Sequence, residues 1–229
     1  MKERLPMSIE TVEQPATRRP LEPLVRQSLP FVPFYDKDGI TIYNADCRQI
    51  LPLLARFDLV LTDPPYGIGA SRDVVRHGHA QMSWDDERPS EEMLREVTAA
   101  AERAIVWGGN YFALPPSRKF LTWDKEQPED FSLAMVEQAW CSWDGNAKLF
   151  RKRVIGYYKW HPTQKPVELM AWCVKQAGDV QTICDPFMGS GTTLVAAKQL
   201  GLRAVGIEIN REYCEAAVQR LRQGVLGFD

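Results

Sequence analysis

The sequence predicts an α/β fold built on a doubly wound, mostly parallel sheet, and three observations carry that expectation. Short apolar runs, several of them β-branched, alternate with stretches of helical period. A chain of 229 residues with 45% apolar content can enclose one continuous core. Two of the runs end in turns stiffened by proline or opened by glycine, the places where such sheets receive ligands.

In chain order, residues 1–35 are proline-rich without a sustained apolar period and read as an arm or strap over the surface. Residues 36–229 read as a single domain. Its expected core strands are residues 40–43, 58–62, 104–107, 181–184 and 204–207, apolar enough on both faces to be buried parallel strands. Leu94, Val97, Thr98 and Ala101 recur at helical spacing, as do Val167, Met170, Ala171 and Val174, and Tyr213, Ala217 and Leu221 follow at four-residue steps. Ser90 before Glu91 and Glu92 suits a helix start, and Gly201 suits a helix stop. Residues 110–165, with Pro115-Pro116, tryptophans and Gly145, break this rhythm and read as an insertion outside the sheet scaffold.

Composition narrows the function classes. No run approaches the roughly 20 apolar residues of a membrane span, and the first residues lack the apolar region of a secretory signal, so a soluble, cytoplasmic protein without a membrane partner is expected. The five cysteines show no paired or metal-ligand spacing, and the three histidines do not complete a ligand set, so no metal is expected. A net charge of -2 speaks mildly against non-specific attraction to phosphate. Locally, Arg151, Lys152, Arg153, Lys159, His161 and Lys165 form a basic stretch interleaved with Tyr157, Tyr158 and Trp160, either a solvated edge or a nucleic-acid surface.

The segment around Asp185, Phe187, Gly189, Ser190, Gly191, Thr192 and Thr193 follows the fourth expected strand. It fits neither familiar phosphate site, since a P-loop needs Lys where Thr192 stands and a dinucleotide motif needs Gly where Leu194 stands. Asp185 offers a carboxylate suited to an amino-acid ammonium. Glu208, nineteen residues after Gly189 and at the end of the next strand, stands where an acid accepts from ribose hydroxyls. A nucleoside joined to an amino acid satisfies both, and S-adenosylmethionine is such a molecule.

The second turn is Asp63-Pro64-Pro65-Tyr66, a tetrapeptide expected by chance on the order of once in a thousand chains of this length. Two prolines would hold the Asp63 carboxylate, the Pro64 carbonyl and the Tyr66 ring at set positions. A rigid acceptor pair beside a stacking ring is what an exocyclic amine on a flat base requires.

On these two motifs the chain resembles the amino-methyltransferases that act on DNA. The catalytic motif precedes the cofactor motif, and His161-Pro162-Thr163-Gln164-Lys165-Pro166 leads into the latter, an order similar to the family's beta group. The resemblance implies a Rossmann-like methyltransferase sheet with circularly permuted motif order and a small inserted recognition region within 110–165. It implies a site-specific DNA methyltransferase, with S-adenosylmethionine as cofactor and DNA as partner, acting on adenine N6. The alternatives are a cytosine-N4 enzyme, an RNA methyltransferase and a non-catalytic binding module.

Carried over by position, Asp63 and Pro64 hold the target amine, and Tyr66 stacks on the extruded base. Asp185, Gly189, Gly191 and Thr192 line the methionine side, Glu208 the ribose, and Asp46 with Cys47 the adenine, with Phe187, Ser190, Thr193 and Lys165 also on the cofactor side. Arg72 and Arg76, in a loop expected to close over DNA, and Arg151, Lys152 and Arg153 are candidate DNA contacts. So small a recognition region implies a short target site or a contribution from a second copy.

Overall fold

The computed structural model describes Leu24 and residues 30–67, 88–128, 134–153 and 164–223. Among these residues, nine strands form one sheet. They are β1 (Tyr35–Lys37), β2 (Ile40–Asn44), β3 (Phe57–Thr62), β4 (Ala101–Trp107), β5 (Phe120–Asp124), β6 (Val136–Cys141), β7 (Lys148–Arg151), β8 (Thr182–Asp185) and β9 (Arg203–Glu208). The helices are α1 (Cys47–Ile50), α2 (Glu91–Ala99), α3 (Val167–Ala177), α4 (Thr192–Gln199) and α5 (Arg211–Arg222).

The strand order is β1-β2-β9-β8-β3-β4-β6-β5-β7. Its central part, β2-β9-β8-β3-β4, is parallel and consists of the five strands expected from the sequence. Both faces are covered, as a parallel sheet requires. Leu59, Leu61, Ile105 and Trp107 pack with residues of α3, α4 and α5, whereas Val60, Ala104 and Val106 pack with residues of α1 and α2. From β3 the chain winds outward to β4, and from β8 it winds the other way to β9. The winding therefore reverses between β3 and β8, and a ligand crevice belongs at the carboxyl ends of these two strands.

That seam carries only two registered pairs, Leu59 with Ile183 and Val60 with Cys184, and side chains brace both its ends. At the amino end, Asp58 Oδ2 accepts from the backbone N–H groups of Gln181 (2.9 Å) and Thr182 (2.8 Å). At the carboxyl end, Thr62 donates to Asp185.

Local chemistry sets several boundaries. Ser90 caps α2, its Oγ accepting from Met93 N at 3.1 Å, and Glu91 and Glu92 favour the positive end of the helix. Ala101, expected on that helical face, instead opens β4. Gly201 follows α4 with φ +68, as its stop position suggested.

Residues 110–165 correct the sequence reading. They supply β5, β6 and β7, which extend the sheet beyond β4. Leu121, Trp123, Ala139, Trp140 and Cys141 are buried there, while β7 and the start of β6 are mostly exposed. Strands near a sheet edge lack the continuous apolar run of a buried parallel strand, so their period is faint beside Pro115, Pro116 and the tryptophans. Of the N-terminal arm, Leu24 is buried and its carbonyl accepts from Ala55 N at 3.0 Å; residues 1–23 and 25–29 lie outside the described residues.

All five cysteines are free and buried. Among the described residues, no helix is long and apolar enough to cross a membrane, and no group of three or more His, Cys, Asp or Glu residues could hold a metal ion.

Candidate active site

β3 delivers the proline turn, expected from the sequence to be catalytic, to the crevice. Asp63 and Tyr66 are half-buried and Pro64 is buried, in the irregular turn that leaves the sheet. Tyr66 Oη donates to Asp63 Oδ1 at 2.5 Å, and Lys165 Nζ pairs with Asp63 Oδ2 and lies 3.2 Å from Tyr66 Oη. The Tyr66 ring stacks on Tyr111, with centroids 5.0 Å apart and planes at 21°. It crosses Gly108, where a Cβ would fall 2.2 Å from a ring carbon. Gly108 has φ +66, so glycine serves there both the backbone and the ring above it.

Lys165 was expected on the cofactor side; the structure sets it against the catalytic motif. Its side chain is only 2% exposed and reaches a second acid, Glu137 of β6, at 3.1 Å. Glu137 in turn pairs with Lys125 at 2.5 Å. Burial raises the Asp63 pKa, a shift that nearby Glu137 reinforces and Lys165 only partly offsets. Burial would also raise Glu137, but Lys165 and Lys125 overcome it and hold that carboxyl at about 2. Lys165 stays charged against its own burial because two carboxylates face it.

The glycine turn expected to meet the cofactor lies one strand away. Asp185, the last residue of β8, is 3% exposed, and its Oδ1 accepts from Thr62 Oγ1 (2.7 Å) and Phe187 N (3.2 Å). Burial pushes its pKa to about 7. Glu208 ends β9; its Oε2 accepts from Gly189 N at 3.0 Å and its Oε1 from Asn210 N at 2.7 Å. Burial raises its pKa against those bonds. Each carboxylate oxygen keeps acceptor capacity for a further donor.

The two glycines, expected to act alike, divide the work. A Cβ at Gly189 would meet nothing within 4 Å, so that side of the turn is open to a ligand. A Cβ at Gly191 would fall 2.7 Å from Ala217 Cβ, so Gly191 serves the packing of α5. Ser190, Thr192 and Thr193 are buried beneath the turn. Arg220 of α5 donates to Ser190 O (2.6 Å), Ser190 Oγ (3.0 Å) and Thr192 Oγ1 (3.0 Å), while Thr193 Oγ1 donates to Leu61 O at 3.4 Å. These residues brace the turn; of the residues expected to meet the cofactor, Gly189 borders open space, and Asp185 and Glu208 keep acceptor capacity.

Asp46 caps α1 and binds Arg48, its Oδ1 accepting from Arg48 N at 2.9 Å; Cys47 is buried, its thiol pushed up to about 12 by burial. Both lie just past β2, which pairs with β9 at Asn44 and Glu208. Arg151, Lys152 and Arg153 leave β7 at the same sheet edge as Asp63. Arg151 pairs with Asp124 (3.2 Å) and Lys152 with Glu168 (2.5 Å), and Arg153 is exposed. Arg72, Arg76 and the remaining aromatic and basic residues at 157–161 lie outside the described residues.

Sequence reasoning missed Gly108, Tyr111, Glu137, Lys125 and Arg220. Gly108-Gly109 after a buried run was a usable signal, and Arg220 falls on the buried face of α5 three residues after Ala217. Glu137 has no local signal, because only the antiparallel return of β6 brings it to Lys165.

The open α/β sheet thus presents an acidic glycine turn and an acidic proline turn at its switch point, where sheets of this kind receive nucleotide ligands. The family described as DNA methylase, the N6/N4 methyltransferases, matches residues 122–219. The type II methyltransferase M.ScaI of Streptomyces caespitosus is 24% identical over 82% of this chain and 83% of its own. M.HpaI of Haemophilus parainfluenzae is 45% identical over 72 residues, 30% of this chain, and the match spans only 22% of M.HpaI. The solved M1.HpyAVI–SAM complex superposes with a TM-score of 0.54 at 21% identity, over 80% of this chain and 99% of that one. In its two motifs and in these matches the chain is similar to the amino-methyltransferases of the N6/N4 family.

Proposed function

We propose that this protein is an S-adenosylmethionine-dependent DNA methyltransferase acting on the exocyclic N6 amine of an adenine flipped out of the duplex. The observation that carries the reading is the direct link between the motifs. Asp63 follows the strand end whose Thr62 donates to Asp185, so an amine acceptor and an ammonium acceptor share one crevice. The crevice fits the cofactor: Gly189 leaves open space, Asp185 suits the ammonium, and Glu208 suits the ribose. When bound, S-adenosylmethionine supplies an electrophilic methyl group.

The chain's own residues do the rest. An exocyclic amine is a poor nucleophile because its lone pair is delocalised into the ring. Hydrogen bonds from the amine to the Asp63 carboxylate and the Pro64 carbonyl favour a more tetrahedral nitrogen. Tyr66 offers a face for the extruded base, whose flipping costs a few kcal/mol of stacking. Arg151, Lys152 and Arg153, at the same edge, are the proposed phosphate contacts within the described residues, with 110–165 as the target-recognition region and a second copy as a further contributor.

Cytosine N4 is the second reading, since it presents an aromatic amine beside a ring nitrogen and one acceptor pair can hold either base. Asp rather than Ser at the first motif position favours adenine. Incubation with labelled cofactor and unmethylated DNA, followed by nucleoside mass spectrometry, tests both. N6-methyladenine is expected; N4-methylcytosine alone overturns the adenine assignment, and no labelled nucleoside overturns the activity.

A further inference from the structure

Both oxygens of Asp63 are engaged within the protein, Oδ1 by Tyr66 Oη and Oδ2 by Lys165 Nζ. An incoming amine must therefore share or displace one of these donors. Tyr66 is held by its stack on Tyr111 and its close approach to Gly108. Lys165 has somewhere else to go, because Glu137 Oε2 already lies 3.1 Å from its Nζ. A buried ammonium released without a second acid would be strongly unfavourable.

We infer that Lys165 is a two-position cation: it holds the place on Asp63 that the target amine takes, and Glu137 is the positioning carboxylate that receives it when the base enters. The inference rests on the proposed methylation of an exocyclic amine. Lys125, 2.5 Å from Glu137, balances the second acid, so two cations face two carboxylates whichever acid Lys165 favours. The rings of Trp107 and Tyr66, with centroids 5.2 and 5.7 Å from Nζ, give the ammonium favourable surroundings throughout. Without Glu137, Lys165 would stay on Asp63 and compete with the base.

The charged and titratable groups around Asp63 come from every adjoining element. They are Lys165 ahead of α3, Glu137 of β6 with Lys125 behind it, Tyr66 on its own turn with Tyr111 beyond, and Asp185 at the end of β8. Glu137→Gln removes a repulsive charge from Asp63, and Lys165→Met removes an attractive one.

The test uses the full chain carrying each substitution. Titration of Asp63 by carbon-13 NMR, without cofactor or DNA, is expected to move down by about one pH unit in Glu137→Gln and up by a similar amount in Lys165→Met. Cofactor affinity by calorimetry should stay within about twofold for Glu137→Gln, while single-turnover transfer to DNA falls about tenfold and Glu137→Asp recovers part of it. An unmoved Asp63 titration, shifts of the same sign in both variants, or wild-type transfer by Glu137→Gln overturns the lysine's role. A wild-type protein that transfers no methyl group to DNA overturns the function itself, whatever the titrations show.

Discussion

Thr62 Oγ1 donates a 2.7 Å hydrogen bond to Asp185 Oδ1, tying the last residue of β3 to the last residue of β8 where the winding of the sheet reverses. Both groups are buried, at 0% and 3% exposure, so the bond has no solvent substitute. Thr62→Val keeps the shape and removes the donor. A loss of about 1 to 3 kcal/mol in urea unfolding is expected, with weaker cofactor binding, because Asp185 would retain its buried carboxyl with one partner fewer. Wild-type stability together with wild-type affinity would show the seam to be held by packing alone.

As the proposed acceptor of the cofactor's ammonium, Asp185 would make cofactor binding sensitive to pH. Burial raises its pKa to about 7, so near neutrality the ligand-free protein is partly protonated there, while an ammonium requires the ionised form. Affinity for S-adenosylmethionine should therefore rise as pH increases through about 7, with proton release on binding below it. The stability linkage has the opposite sign. The folded state holds a proton that the unfolded chain releases near 4, so this contribution is full at low pH and is lost as pH rises through about 7. Calorimetry at about pH 6 and pH 8 checks the first statement; Asp185→Asn should weaken binding and flatten its pH dependence.

The parts legible in the sequence were those governed by local pattern. The five buried parallel strands announced themselves because both faces are apolar, as in Leu59, Val60 and Leu61, and Asp63 to Tyr66 stood out because an acid and a tyrosine rarely flank a pair of prolines. β5 to β7 were not legible. Val136 and Gln138 of β6 face solvent, and its buried Trp140 donates Nε1 to Pro115 O, a contact no period predicts. The contacts of Lys165 were not legible for the same reason: the sequence offered only its place ahead of the glycine turn, and its partner Glu137 arrives from a distant strand.

Gly189 and Gly191 should fail in different ways when replaced by alanine. Both have positive φ, at +51 and +77, so each substitution carries a backbone cost of roughly 1 to 2 kcal/mol. The new methyl at Gly189 enters open space where the ligand is expected, so cofactor affinity should fall more than stability. At Gly191 the methyl meets Ala217 Cβ at 2.7 Å, adding an overpacking cost of about 1 to 3 kcal/mol that thermal unfolding would register. Equal effects on affinity and stability in both variants would remove the distinction.

The ring of Tyr66 is placed by a residue with no side chain, and this gives the sharpest test of the catalytic turn. A Cβ at Gly108 would lie 2.2 to 2.6 Å from three ring atoms of Tyr66, so Gly108→Ala must displace the ring from Tyr111 and its hydroxyl from Asp63. Methyl transfer should fall about a hundredfold, the order of loss that a misplacement near 1 Å produces, with cofactor affinity close to wild type. Tyr66→Phe keeps the stacking face and loses the 2.5 Å bond to Asp63 and the contact with Lys165, so a loss of about tenfold is expected. Tyr66→Ala removes face and hydroxyl together and should be the most severe of the three. Single-turnover rates with matched cofactor binding would rank them. Tyr66→Phe as inactive as Tyr66→Ala would move the importance of this residue from its ring to its hydroxyl, and a fully active Gly108→Ala would show that the ring position seen here is not the one used in transfer.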